Sequence, residues 1–184
     1  APALASAGTT VSVQLAGVPV KATLPDAAGR FVLYPVPAGS YDLVVSAAGH
    51  ATAVMTGVPV IATAPTQVNT AAIPIAPPPS SSRAVDGSVL PATATVRALQ
   101  AFTGGPTVEA AWAPVDATSG AFGFALATAA PVKTAYVANP LALAFTTDAA
   151  AAGQYTLEAA SAGVTKAQAI DVSAAVPPVA FTFP

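Results

Sequence analysis

Short stretches of this chain alternate apolar and polar residues with a period of two, the pattern of strands that bury one face. Val11 to Leu15 shows it first, and the run Val18 to Leu24 stays extended. Phe31 to Tyr34 predicts another strand, and Tyr41 to Val45 places Tyr41, Leu43 and Val45 on one face. His50 to Thr56, Gly57 to Ala62 and Val68 to Ile75 complete a first set. A second set follows at Val85 to Val89, Ala94 to Leu99, Val108 to Ala113, Ala121 to Leu126, Tyr155 to Ala159, Lys166 to Val172 and Val179 to Phe183. Pro and Gly punctuate the chain about every 8 to 12 residues, so strands stay short and long helices are excluded despite the abundant alanine. The pattern predicts an all-β protein.

The two sets share landmarks. Gly precedes Phe by two residues in both (Gly29/Phe31 and Gly120/Phe122), each time after an Asp turn at Asp26 or Asp116. Tyr precedes a closing Gly by eight (Tyr41/Gly49 and Tyr155/Gly163). A duplicated strand-turn-strand unit predicts tandem β-sandwich modules: a first at residues 1–76, a Pro/Ser linker at 77–83, and a second at 84–184. Prolines 77 to 79 favour an extended polyproline segment, which places the modules nearly end to end.

The copies differ in two places. The second opens with the strand Val85 to Val89, while the first has no equivalent before Val11. Either that strand precedes Ala1, or another chain fills the edge at Val11, Val13 and Leu15, where unpaired backbone groups invite strand addition. The second copy also carries an insertion at about residues 132–152, which predicts a hairpin turning at Asn139-Pro140 or a long apolar loop. Its residues Tyr136, Leu141, Leu143 and Phe145 either pack on a sandwich or form a partner surface.

Composition narrows the function classes. Of 184 residues, 54% are hydrophobic and 8% charged, which raises the question of a membrane span. Leu43 to Ser82 contains no Lys, Arg, Asp or Glu, but Pro59, Pro65, Pro74 and prolines 77 to 79 would break the backbone hydrogen bonding of a spanning helix. Six basic residues spread singly and a net charge of −2 leave no patch to grip phosphates, which argues against nucleic acid. The absence of Cys excludes disulfides, zinc-thiolate sites and thiol nucleophiles.

Candidate chemistry is sparse. His50 is the only histidine, and no nucleophile elbow or second ligand accompanies it, so its expected role is to start a strand. The eight carboxylates form no Asp-x-Asp-x-Asp loop of the kind that binds calcium. Trp112, Tyr34 and Tyr136 are the aromatics available to stack on sugar rings, yet they are scattered among Ala, Val and Pro, and core or interface packing is the expectation for Trp112. No catalytic residue, cofactor or metal is expected.

The residues Asp26, Gly29, Phe31, Leu33, Val36, Pro37, Gly39, Tyr41, Leu43, Val45 and Gly49 resemble the carboxypeptidase regulatory-like family. The resemblance is weaker in the second copy, where the insertion replaces the Pro-Val-Pro-Ala-Gly corner. It implies transthyretin-like, seven-stranded Greek-key sandwiches. In carboxypeptidases such a module is an accessory to a zinc peptidase domain, and no zinc-ligand pattern stands in this chain to carry that activity over. The pair also resembles the C-terminal region of bacterial lipoproteins that carry a domain of unknown function ahead of such repeats. That likeness implies an exported protein of the cell surface, periplasm or exterior, with signal peptide, lipid anchor and first strand upstream. The expected function is a non-enzymatic spacer or interaction module. Its alternatives are a filament subunit joined by strand addition and a carbohydrate-binding module.

Overall fold

The computed structural model describes residues 9–47, 50–66, 68, 80–138 and 142–184. Among these, one 3-10 turn at Ala149–Ala151 is the only helical element, and everything else regular is strand. The first half holds β1 (Thr10–Leu15), β2 (Val18–Thr23), β3 (Gly39–Ser46) and β4 (Ala53–Val60). The second holds β5 (Ser82–Leu90), β6 (Thr95–Ala101), β7 (Thr107–Ala113), β8 (Ala121–Ala127), β9 (Val132–Ala135), β10 (Thr146–Thr147), β11 (Gln154–Ser161), β12 (Val164–Asp171) and β13 (Val179–Thr182). They form three sheets, in the orders β10-β9-β4-β3-β1-β2, β12-β11-β6-β7 and β13-β5-β8.

The sequence duplication is also a duplication of hydrogen-bond register. Val11 faces Thr23 and Ser12 faces Ala22 across β1 and β2, as Val96 faces Ala113 and Arg97 faces Trp112 across β6 and β7. Both ladders then slip at the same step, between Val13 and Gln14 and between Ala98 and Leu99. On the other side, Val11 and Val13 face Val45 and Leu43 of β3, and Val96 and Ala98 face Ala159 and Leu157 of β11. Tyr41 and Tyr155 therefore hold matching positions. Each is buried and donates its hydroxyl to a carbonyl of the preceding chain, Pro37 at 2.9 Å and Ala127 at 3.0 Å. A one-residue slip would turn every inward side chain outward, so a shared register means that the same alternate positions face each core.

The Asp turns match as well. Asp26 Oδ1 accepts from the N–H groups of Ala28 and Arg30, and Asp116 Oδ1 from those of Thr118 and Ser119. Gly29 and Gly120, both with positive φ, each donate back to the carbonyl of that Asp. The aspartates fold their own following backbone, a turn role that needs no ligand.

Beyond these sheets the halves part. In the second half β5 is the centre of a facing sheet, antiparallel to β8 and parallel to β13. Phe122, Phe124 and Phe181 from that sheet meet Val96, Leu157 and Ile170 from the other in one core. The rings of Phe122 and Phe124 lie edge to face at 5.8 Å, a geometry that favours the positive ring edge against the negative face. Alanines such as Ala98 and Ala159 leave room in this core for the aromatic rings.

In the first half the predicted strand at Phe31 to Tyr34 joins no ladder among the described residues. Its counterpart β8 is held by β5, and the described residues of the first half include no equivalent of β5. Of the predicted closing strand, only Val68 is described; residues 69–75 lie outside the described set. The predicted strands at His50 to Thr56 and Gly57 to Ala62 merge into the single β4.

The insertion belongs structurally to the first half. β9 adds in parallel to β4, with Ala53 facing Val132 and Thr56 facing Ala135, and β10 pairs antiparallel with β9. The two strands flank a connection of ten residues, of which 136–138 and 142–145 are described and carry no strand; the expected turn at Asn139 and Pro140 lies outside the described set. Tyr136, Leu143 and Phe145 are half-buried against the core of Val11, Val13, Leu43, Met55 and Val132; Leu141 lies outside the described residues.

The expected open edge is corrected too. β1 lies between β2 and β3, so Val11 and Val13 are interior and buried, and Leu15 is exposed only at the strand end. The outermost strand on that side is β2, where Pro19 and Lys21 are residues that discourage pairing with another chain.

Candidate functional site

The two halves meet side by side and enclose a cleft of about 500 Å³. One wall is the outward face of β1 with Thr10 and Ser12, joined by His50 and Thr52. The other wall is β7 from Glu109 to Trp112, with Tyr155 behind it. The alternation that sends Val11 and Val13 into the first core sends Ser12 and Gln14 to this face.

Gln14 closes one end of the cleft. Only 1% exposed, it donates from Nε2 to the Glu109 carbonyl at 2.9 Å and accepts the Glu109 N–H at Oε1 at 2.7 Å. A side-chain amide thus takes the place of a neighbouring strand at the edge of β7. Its Nε2 also reaches Ser12 Oγ at 3.1 Å. Replacing Gln14 by Leu keeps the volume but strands two backbone groups at the interface. It should lower the unfolding free energy by about 1–3 kcal/mol, measured by urea denaturation. A change inside experimental error would mean that the amide is not a fastening.

Arg97 makes a second link. Its Nη2 lies 2.6 Å from Glu158 Oε1, its Nη1 lies 3.5 Å from Glu109 Oε2, and the same Nη1 donates to the Gly17 carbonyl of the first half at 3.1 Å. Burial pushes the Glu109 carboxyl above its usual range; Arg97 opposes that rise and Glu158 adds to it. One guanidinium serves two carboxylates and a turn carbonyl, so the cluster joins the halves.

At the far end the loop after β6 plugs into the first sheet. Phe102 and Val108 pack on Val44 and Val54, which are the back-face residues of β3 and β4. Asp148 accepts from Thr103 N–H at 2.6 Å and from Thr103 Oγ1 at 3.1 Å, while Lys133 Nζ donates to the Thr103 carbonyl at 2.7 Å. The Thr103 N–H chiefly holds the Asp148 carboxyl below its ordinary value. A carboxylate with a lowered folded pKa stabilises above its unfolded value and loses that contribution as the pH falls through the folded one. Asp148→Asn should therefore be less stable than wild type at neutral pH, with the gap closing as the pH falls below the ordinary aspartate value of 3.8. Denaturant midpoints against pH for both proteins check this.

The sequence candidates end up dispersed. Trp112 is 61% exposed beside the cleft, which corrects its expected place in a core or interface: it lies on the outward side of β7, opposite Arg97. Tyr34 is 79% exposed in the first half, and Tyr136 lies over the first core, so the three aromatics form no common platform. His50 forms one bridge of backbone structure and lines the cleft. Tyr155 also lines it; burial raises its phenol to about 12. Among the described residues no three of His, Cys, Asp and Glu converge to hold a metal, and no helix is long and apolar enough to cross a membrane. The cleft brings together hydroxyls, one imidazole and one exposed indole among alanines and Leu126.

No protein-family model, curated protein or solved structure matches the chain.

Proposed function

We propose that this chain is a non-enzymatic structural or interaction module of an exported bacterial surface protein, acting as a spacer that presents neighbouring parts. In this reading it consists of two tandem Greek-key sandwiches of the transthyretin-like kind, the second complete and the first finished by borrowed strands. The shared register and shared bulge of β2-β1-β3 and β7-β6-β11 support the duplication. The observation that carries the reading is β9: a strand from the second half lies inside the sheet of the first, so the pair resists bending as one body. A spacer needs that stiffness, and segments held in hydrogen-bonded ladders open to proteases less readily than loops do. Antibody against the chain should label intact source cells before permeabilisation. Labelling that appears only afterwards would overturn the surface assignment.

A second reading, carbohydrate binding, is favoured by Trp112, whose exposed indole stands beside the hydroxyls of Thr10 and Ser12. Trp112 is the sole tryptophan, so its emission reports the cleft directly. Titration with an oligosaccharide panel should shift that emission if the reading holds, and a flat response across the panel removes it.

A further inference from the structure

A pull carried along the backbone enters the second half at β5 and leaves it at β13. These two strands lie side by side and parallel, with Val179 facing Gly87 and Thr182 facing Leu90. Tension between Ser82 and Pro184 therefore draws β5 backwards and β13 forwards along the same line. In that geometry the bonds of the ladder carry the load together, whereas strands drawn apart from one end lose their bonds one after another. The ladder is also fastened beyond its own pairs. Phe183 N–H extends it by donating to the Leu90 carbonyl at 2.8 Å. Lys166 of β12 donates from Nζ to the Thr182 carbonyl and lies over the Phe183 ring, 5.5 Å from its centroid, where a cation is attracted to the ring face. Val179, Phe181 and Phe183 are buried in the core with Phe122, so β13 cannot slide without dragging three side chains through a close-packed interior. At the entry, the Ser81 carbonyl accepts the Thr128 N–H at 2.9 Å, and the hydroxyls of Ser81 and Thr128 lie 2.6 Å apart, so the start of β5 is pinned to the end of β8.

We propose that β5 and β13 form a load-bearing clamp, through which the second half withstands tension along the chain. The inference rests on the spacer reading and adds a mechanical role to it, because a spacer transmits any pull on the parts it presents. Forced unfolding is governed by the barrier to leaving the native state, not by the free energy of folding. The clamp raises that barrier in one direction only. Drawn apart at Thr93 and Pro184, the same two strands are held at adjacent ends, and the ladder opens from the Leu90–Thr182 pair towards Gly87–Val179. Neither direction alters the contacts of the native fold. Equilibrium stability is therefore common to both, and only the rupture force differs.

The chain has no cysteine, so two introduced thiols give unique attachment points for single-molecule stretching. Ser82, Thr93 and Pro184 are all exposed. The full chain is stretched at one pulling speed, either as Ser82→Cys with Pro184→Cys or as Thr93→Cys with Pro184→Cys. The first pair should rupture at a force several-fold higher than the second. Phe181→Leu added to the first pair should lower its force, because it loosens the seat of β13 beside Phe122. Equal forces for the two attachment pairs would overturn the proposal. So would a first-pair force unchanged by Phe181→Leu, which would put the barrier outside β13. These readouts do not depend on display. Antibody labelling confined to permeabilised cells would remove the surface spacer and leave the clamp standing, whereas equal forces would remove the clamp and leave the surface assignment.

Discussion

Gly87→Val should leave the second half without a stable fold, a loss beyond about 4 kcal/mol and at the extreme of single substitutions. A Cβ at this position would collide with Cζ of Phe122 and with the Val179 carbonyl oxygen. The first atom belongs to a ring packed edge to face on Phe124 and tilted on Phe181, so it cannot retreat without opening the core. The second belongs to the backbone of β13, which is held to β5 by a parallel ladder from Gly87–Val179 to Leu90–Thr182. Relief therefore requires either the loss of β13 or the expulsion of Phe122, and a close-packed interior offers no third place for the atoms. Alanine already presents the offending Cβ, so Gly87→Ala should show most of the effect, while Ser88→Ala on the exposed side of the same strand should be near neutral. Urea denaturation of the three variants checks the order. A Gly87→Ala protein within about 0.5 kcal/mol of wild type, the range of ordinary surface changes, would show that the packing around Phe122 is looser than the distances state.

Gly87 also shows what could be read from the chain and what could not. Strand positions were legible because alternation is a local property: Tyr41, Leu43 and Val45 had to share a face once they were extended. The matching places of Tyr41 and Tyr155 were legible from their spacing to the following glycines. The all-β class follows from the same local signals. What escaped was non-local. Nothing in the sequence near Val132 says that it will pair with Ala53, because parallel addition of a strand to a distant sheet carries no short-range turn signal. Phe31 to Tyr34 failed as a strand for a similar reason: its alternation is intact, and a ladder needs a partner that local pattern cannot supply. The cleft was invisible for a related cause. Gln14 reads as the polar residue of an alternating strand, and only the docking of β7 makes its amide a backbone clamp. Trp112 misled because large apolar residues are usually inside, a rule with many exceptions on outer strands.

The borrowed strand makes the other large prediction. Val132 is buried in the first core, yet it follows directly on Pro131 and the end of β8, so the second half delivers it. Its N–H donates to the Thr52 carbonyl at 2.9 Å, and the ladder to β4 runs on to Tyr136 N–H and the Thr56 carbonyl at 2.8 Å. Val132→Asp places a carboxylate among Met55, Ala53 and Leu43 with no cation in that core, and it should cost about 3–5 kcal/mol, the scale for an unpaired buried charge. The consequence is uneven. Among the described residues the first half loses the cover and two strands, β9 and β10, of its sheet, while the core of Phe122, Leu157 and Ile170 keeps both of its sheets. Trp112 sits in the second half and reports its unfolding by fluorescence, and amide exchange at Leu43 to Val45 reports the first. In the wild type the two probes should lose structure at the same urea concentration, because β9, Gln14 and Arg97 couple the halves. In Val132→Asp the exchange at β3 should rise at concentrations where Trp112 still reads folded. Coincident transitions in the variant, at an unchanged midpoint, would mean that the first half stands without β9 and that the stiffness attributed to the interlock has another source.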